Sequence, residues 1–168
     1  MKKTLAILFV LMMAVCLLPT IAFAEGTAIY VSSSGNDDIN NGTETNPYAT
    51  LAKAVDVAGS GATIYVMSDL TMTKCARYYN KNLTITSLGE NAFTVTRGDG
   101  FETQSDTARS WYNPAMIEVQ GNQEGAECGL TLTNIILDDA GRRALYLPRP
   151  SVVKVKETKT TWFMSRTL

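Results

Sequence analysis

Ile29-Tyr-Val-Ser-Ser-Ser-Gly-Asn-Asp-Asp-Ile-Asn-Asn-Gly-Thr-Glu-Thr-Asn-Pro-Tyr-Ala-Thr-Leu-Ala-Lys-Ala-Val55 changes character twice along its length. Thr27–Ser32 contains Ile29, Tyr30 and Val31, all β-formers, which predicts a short strand. Ser33–Asn46 is loop chemistry: Gly35, Gly42 and several Asn and Asp tolerate left-handed conformations. After Pro47, Leu51, Val55 and Ala58 fall on one helical face with Ala52 beside them, which predicts a helix over Thr50–Ala58. Gly59 and Gly61 stop it. A second strand, Ala62–Met67, follows.

Strand-like segments then recur at Thr63–Met67, Leu70–Thr73, Leu83–Thr86, Phe93–Thr96, Met116–Val119 and Leu130–Leu137. Leu83-Thr-Ile-Thr86 and Leu130-Thr-Leu-Thr133 are near copies, 47 residues apart. That separation predicts two repeats of about 20–25 residues each. Threonine alternating with aliphatics fits strands with one face in a core and one in water. Asn134 sits where a tight turn between sheets would fall.

Strand, Asn- and Gly-rich loop, short amphipathic helix and recurring strands: this order resembles the opening of the secreted right-handed parallel β-helix proteins of bacteria, the pectin-lyase-like group. The resemblance covers residues 27–141. It implies an all-β solenoid whose short helix caps the N-terminal end, where an open sheet would otherwise invite aggregation. A two-layer β-sandwich also fits short alternating strands. The helix and the near copies favour the solenoid.

The first 24 residues read as an export signal. Lys2 and Lys3 begin it, an apolar run covers Leu5 to Leu18, and Ala22-Phe-Ala24 is a small-x-small cleavage site before Glu25. The run is short for a bilayer span and ends at Pro19, which argues against an anchor. Val15 before Cys16 argues against lipid attachment. The expectation is a secreted, extracellular or cell-surface protein, with no membrane association after cleavage.

Net charge is divided along the chain. Residues 25–141 hold 15 Asp and Glu against 6 Lys and Arg, a net −9, and residues 142–168 carry a net +6. The acidic body disfavours nucleic acid and anionic lipid as partners. The basic segment contains Pro148 and Pro150 and lacks the turn chemistry before it. It reads as a tail outside the solenoid, and the chain reads as a truncated piece of a longer protein. Whether 142–168 is native sequence or a frame-shifted tail stays open at this point.

Candidate chemistry is sparse. Asp37, Asp38, Asn40 and Glu44 bring oxygen ligands into one loop, a composition suited to Ca²⁺. The spacing is not an EF-hand, because Asn41 stands where the glycine belongs and Pro47 where the final Glu belongs. A solvated turn is the simpler reading. Trp111 and Tyr112, in a polar loop, are candidates for glycan contact. Asp138-Asp139 is a carboxylate pair of the kind used in glycoside hydrolysis. The chain has no histidine, the commonest general base. It also lacks the Gly-His-Gly and Arg-Ile-Lys elements that the resemblance would require of a hydrolase. Cys75 and Cys128 remain after cleavage and read either as a disulfide or as two small buried side chains.

These residues support an extracellular, non-catalytic β-helix module of a bacterial secreted or surface protein, adhesive or glycan-binding. The partner would be a polysaccharide or a host or cell-surface glycan. Two alternatives stay open: the front of a polysaccharide lyase or glycoside hydrolase whose active coils lie elsewhere, and a purely structural cap domain.

Overall fold

The computed structural model describes residues 26–102, 115–121, 128–139, 144–146 and 157–158. The segment read as an export signal, Trp111 and Tyr112 lie outside these residues. Alternation decides the architecture. Along Asn82–Ser87 every second residue is buried, and Leu83 and Ile85 turn inward while Thr84 and Thr86 stay half-exposed. Gly129–Thr133 repeats the pattern with Leu130 and Leu132 inward.

The strands are β1 (Ala28–Val31), β2 (Thr63–Val66), β3 (Leu70–Lys74), β4 (Ala76–Tyr79), β5 (Asn82–Ser87), β6 (Phe93–Glu102), β7 (Ile117–Gln120), β8 (Gly129–Thr133), β9 (Ile135–Asp138), β10 (Leu145–Tyr146) and β11 (Glu157–Thr158). The helix is α1 (Leu51–Val57). The strands form three sheets. The first runs β1-β2-β5-β8-β11, the second β3-β6-β9 and the third β4-β7-β10. Consecutive strands therefore visit the sheets in rotation: β2, β3, β4, then β5, β6, β7, then β8, β9, β10. Every pairing among them is parallel. A β-sandwich is built from antiparallel sheets, so that alternative fails.

Leu83 pairs with Leu130 and Ile85 with Leu132, as expected of residues stacked in one core. Ile29, Ile64, Ile85 and Leu132 form a single inward column across four strands. The spacing of the near copies is corrected. They are direct neighbours in the first sheet, so one step of that sheet takes 47 residues, while the step from Thr63 to Thr84 takes 21. The extra length lies in the ten-residue β6 and in the chain on either side of β7.

Two further boundaries differ. Ala76–Tyr79, not anticipated as a strand, is β4. The segment Leu130–Leu137 is two strands in different sheets, broken at Asn134, whose φ of 49° lies in the left-handed region. Asn80, between β4 and β5, has the same φ of 49°. Asparagine supplies the sharp corner at both places because its short polar side chain tolerates that conformation. Beyond residue 141, where the repeat was expected to end, β10 pairs with β7 and β11 with β8.

The helix stands where expected. Thr50 is its N-cap and accepts from the Lys53 amide at 3.1 Å, and Ala58 is its C-cap. Leu51, Ala54 and Val55 are its buried face. It packs against β4 and β1 and so covers the N-terminal edge of the third sheet.

Candidate functional site

Three regions carry enough polar chemistry to be weighed as sites. The first is the loop joining β1 to α1. Asn36 Oδ1 accepts the amides of Asp38 at 2.8 Å and Ile39 at 3.2 Å. Asp37 Oδ1 accepts the amides of Ala49 at 2.8 Å and Thr50 at 3.0 Å, and its Oδ2 accepts the Thr50 hydroxyl at 2.5 Å. Asn40 Nδ2 donates to the Pro47 carbonyl at 2.7 Å. Asp38 and Glu44 are exposed. Of the four Ca²⁺ candidates, Asp37 and Asn40 therefore fasten the loop to the start of the helix. Among the described residues no group of three His, Cys, Asp or Glu converges. Glycine is needed here: a Cβ at Gly35 would overlap the Tyr48 carbonyl oxygen, and Gly42, at φ +76°, lies against the Tyr48 ring.

The second region is a charged seam between the second and third sheets. Arg97, two residues beyond buried Val95 on the same side of β6, forms an ion pair with Asp139; both side chains are 4 % exposed. Its guanidinium lies 4.0 Å from the Phe101 ring centroid. Across β4 and β7, Arg77 Nε donates to Glu118 Oε2 at 2.7 Å, and Gln120 donates to Glu118 Oε1. Cys75, at the corner between β3 and β4, is a free buried thiol, as is Cys128; no disulfide joins them. Burial, with the Glu118 carboxylate nearby, pushes the Cys75 thiol up to about 12. A thiol so raised stays protonated and is a poor nucleophile at neutral pH. Burial likewise raises the Tyr78 phenol, whose hydroxyl donates to the Gly129 carbonyl at 2.9 Å.

The seam does not assemble a carboxylate pair. Asp138 is exposed and Asp139 is buried, because adjacent residues of an extended segment point to opposite sides. Asp139 is engaged with Arg97, and the two carboxyl groups do not face a common space.

The third region is the outer face of the first sheet. Thr63, Thr84 and Thr131 lie in register as one row. Tyr30, Tyr65, Thr86 and Thr133 lie in register as a second. All seven are half-exposed. The Tyr30 and Tyr65 rings stack with centroids 5.2 Å apart and planes inclined by 22°. Asn82, exposed, opens β5 on the same face. Lys81 beside it directs its ammonium to the carbonyls of Val55 at 3.2 Å and Asp56 at 2.9 Å, closing the last turn of the helix. The two rows carry no charged side chain.

Sequence reasoning placed the threonines toward water but did not align them. The signal was present in Thr63-Ile-Tyr65, Thr84-Ile-Thr86 and Thr131-Leu-Thr133. It was obscured because the 47-residue separation reads equally as one long step or two short ones. No protein family, characterised protein or solved structure matches this chain.

Proposed function

We propose that this protein is a secreted, right-handed parallel β-helix module that binds a cell-surface or extracellular glycan and carries out no chemistry on it. Three parallel sheets visited in rotation support the solenoid reading. The strong right-handed preference of parallel crossovers supports its hand. The export-type leader, Lys2 to Ala24, supports an extracellular location. The observation that carries the functional reading is the outer face of the first sheet. It holds two in-register rows of hydroxyl side chains, uncharged and half-exposed. The separated carboxyl groups of Asp138 and Asp139, and a thiol held protonated at Cys75, support binding without turnover.

The test is a glycan panel probed with the exported chain, together with an assay for unsaturated or reducing-end products in the presence of Ca²⁺. Binding without product is expected. Product that disappears in Asp138→Asn or Asp139→Asn would show an enzyme instead. Removal of residues 1–24 should leave the protein inside the producing cell.

A further inference from the structure

We propose that the free edge of β3 docks one short extended strand of another polypeptide, running parallel to β3 and ending in an anionic residue. The proposal does not depend on the glycan reading.

The rotation of strands through the sheets exposes a vacant place. Each later turn supplies one strand to every sheet: β2, β3 and β4, then β5, β6 and β7. The opening turn supplies β1 to the first sheet and lays α1 over the third, but gives no strand to the second. The three N-terminal edges therefore differ. At β1 the Tyr30 and Ser32 amides donate to the Gly42 and Tyr48 carbonyls, and the Tyr30 carbonyl accepts the Tyr48 amide, each at 2.9 Å. At β4 the helix covers the edge. β3 pairs with β6 alone.

The direction of its backbone groups follows from a neighbour. Thr94 on β6 turns its amide toward β3 and donates to Asp69 Oδ1 at 2.7 Å. Alternation from Thr94 through Thr96, the register partner of Thr71, leaves the Thr71 N–H and C=O pointing away from β6. Among the described residues nothing pairs with them. An edge of this kind is a template for a further strand.

The place is shaped for one strand. β3 forms one side of a groove, and Ala49, Thr50, Leu51 and Ala52 form the other. An aliphatic side chain arriving there extends the inward column Leu70–Val95–Leu137. The register shift between Met72 and Lys74 ends the regular ladder, so the added strand is short. A whole second copy does not fit end to end. Its β11 would meet the loop residues already lining β1, and its β10 would meet α1.

Charge sets the direction. Asp69 is turned to Thr94, and the Lys53 ammonium lies 5.9 Å from the Tyr48 ring centroid. Lys74, exposed at the C-terminal end of β3, has Glu102 as its register partner on β6 but forms no ion pair among the described residues. A strand entering parallel, as every strand here does, brings its C-terminal end to this ammonium.

The experiment uses the full chain and a fluorescent peptide, Thr-Val-Thr-Val-Asp, read by anisotropy and by hydrogen exchange. In the free chain the Thr71 amide should exchange fast, and peptide should slow it. Methylating the peptide's valine nitrogens should weaken binding at least tenfold, by removing ladder donors. Ala52→Phe, filling the groove from a half-exposed position, should weaken it about tenfold with an unchanged urea midpoint. Lys74→Glu should weaken it about threefold and favour the peptide ending in lysine instead. Equal binding of the methylated peptide, measured on the unaltered chain, would overturn the proposal whatever the variants do. So would no binding at about 1 mM peptide. A Thr71 amide already protected in the free chain would show that this chain fills its own edge. Concentration-dependent association in sedimentation, lost in Ala52→Phe, would assign the edge to a second copy. Either result would overturn the separate partner.

Discussion

The loop between β1 and α1 and the outer face of the first sheet are both dense in small polar side chains, yet they do opposite things. In the loop, Asn36, Asp37 and Asn40 are hydrogen-bonded to backbone groups of the segment they close. On the face, the side chains of Thr63, Thr84 and Thr131 make no hydrogen bond among the described residues. Polar density alone does not mark a ligand site. A polar group already engaged in holding the backbone is architecture, and a regular row with no such duty is available to a partner.

The sharpest way to test that contrast is to cut beneath the face. Leu132 is fully buried between Thr131 and Thr133, which belong to the two rows of the face. Leu132→Ala should destabilise the fold by about 2–5 kcal/mol, read as a lowered urea midpoint. The loop comes next. Asp37→Ala removes the acceptor for two amides and a hydroxyl, leaving part-buried donors unsatisfied. A loss of about 2 kcal/mol is expected, and added Ca²⁺ should not restore it.

A third test reads how stability changes with pH rather than its value at neutral pH. The Cys75 thiol is raised from 9.0 to about 12 in the folded chain. Between those values the folded state holds a proton that the unfolded state has lost. The stability contributed by the buried neutral thiol is therefore complete below pH 9 and falls as pH rises toward 12. Cys75→Ala should flatten that alkaline decline in urea titrations. The smallest effect belongs to the face itself. Thr131→Val should change stability by less than about 0.5 kcal/mol, since it removes a hydroxyl that supports no other group. A loss as large as that of Asp37→Ala would erase the distinction between the two regions.

The sequence made some of this legible and hid the rest for physical reasons. The helix was readable because capping by Thr50 and an apolar stripe through Leu51 and Val55 are local signals. The inward positions of Leu83, Ile85, Leu130 and Leu132 were readable because a period of two needs only a few residues. The β4 strand was missed because Arg77 and Tyr79 interrupt the apolar pattern, and Arg77 is accommodated only by Glu118 on the neighbouring strand. The turn at Asn134 was anticipated, but not that it divides strands of different sheets. Register between distant strands depends on the length of excursions that no periodicity fixes, so the threonine rows emerged only from the pairing. The Arg97–Asp139 pair, 42 residues apart, had no local signature at all.

The parallel pairing has a consequence for the order in which the molecule can be assembled. β5 docks on β2, β8 on β5, β6 on β3 and β7 on β4, so each of these strands meets a partner that lies earlier in the chain. The loop and the first turn of α1 are closed by contacts within residues 36–53, and the last turn is closed once β4 and Lys81 arrive. A chain synthesised from its N-terminus thus presents its template before the segments that copy it. Growth can proceed strand by strand along each of the three sheets, every new strand adding to the edge its predecessor left.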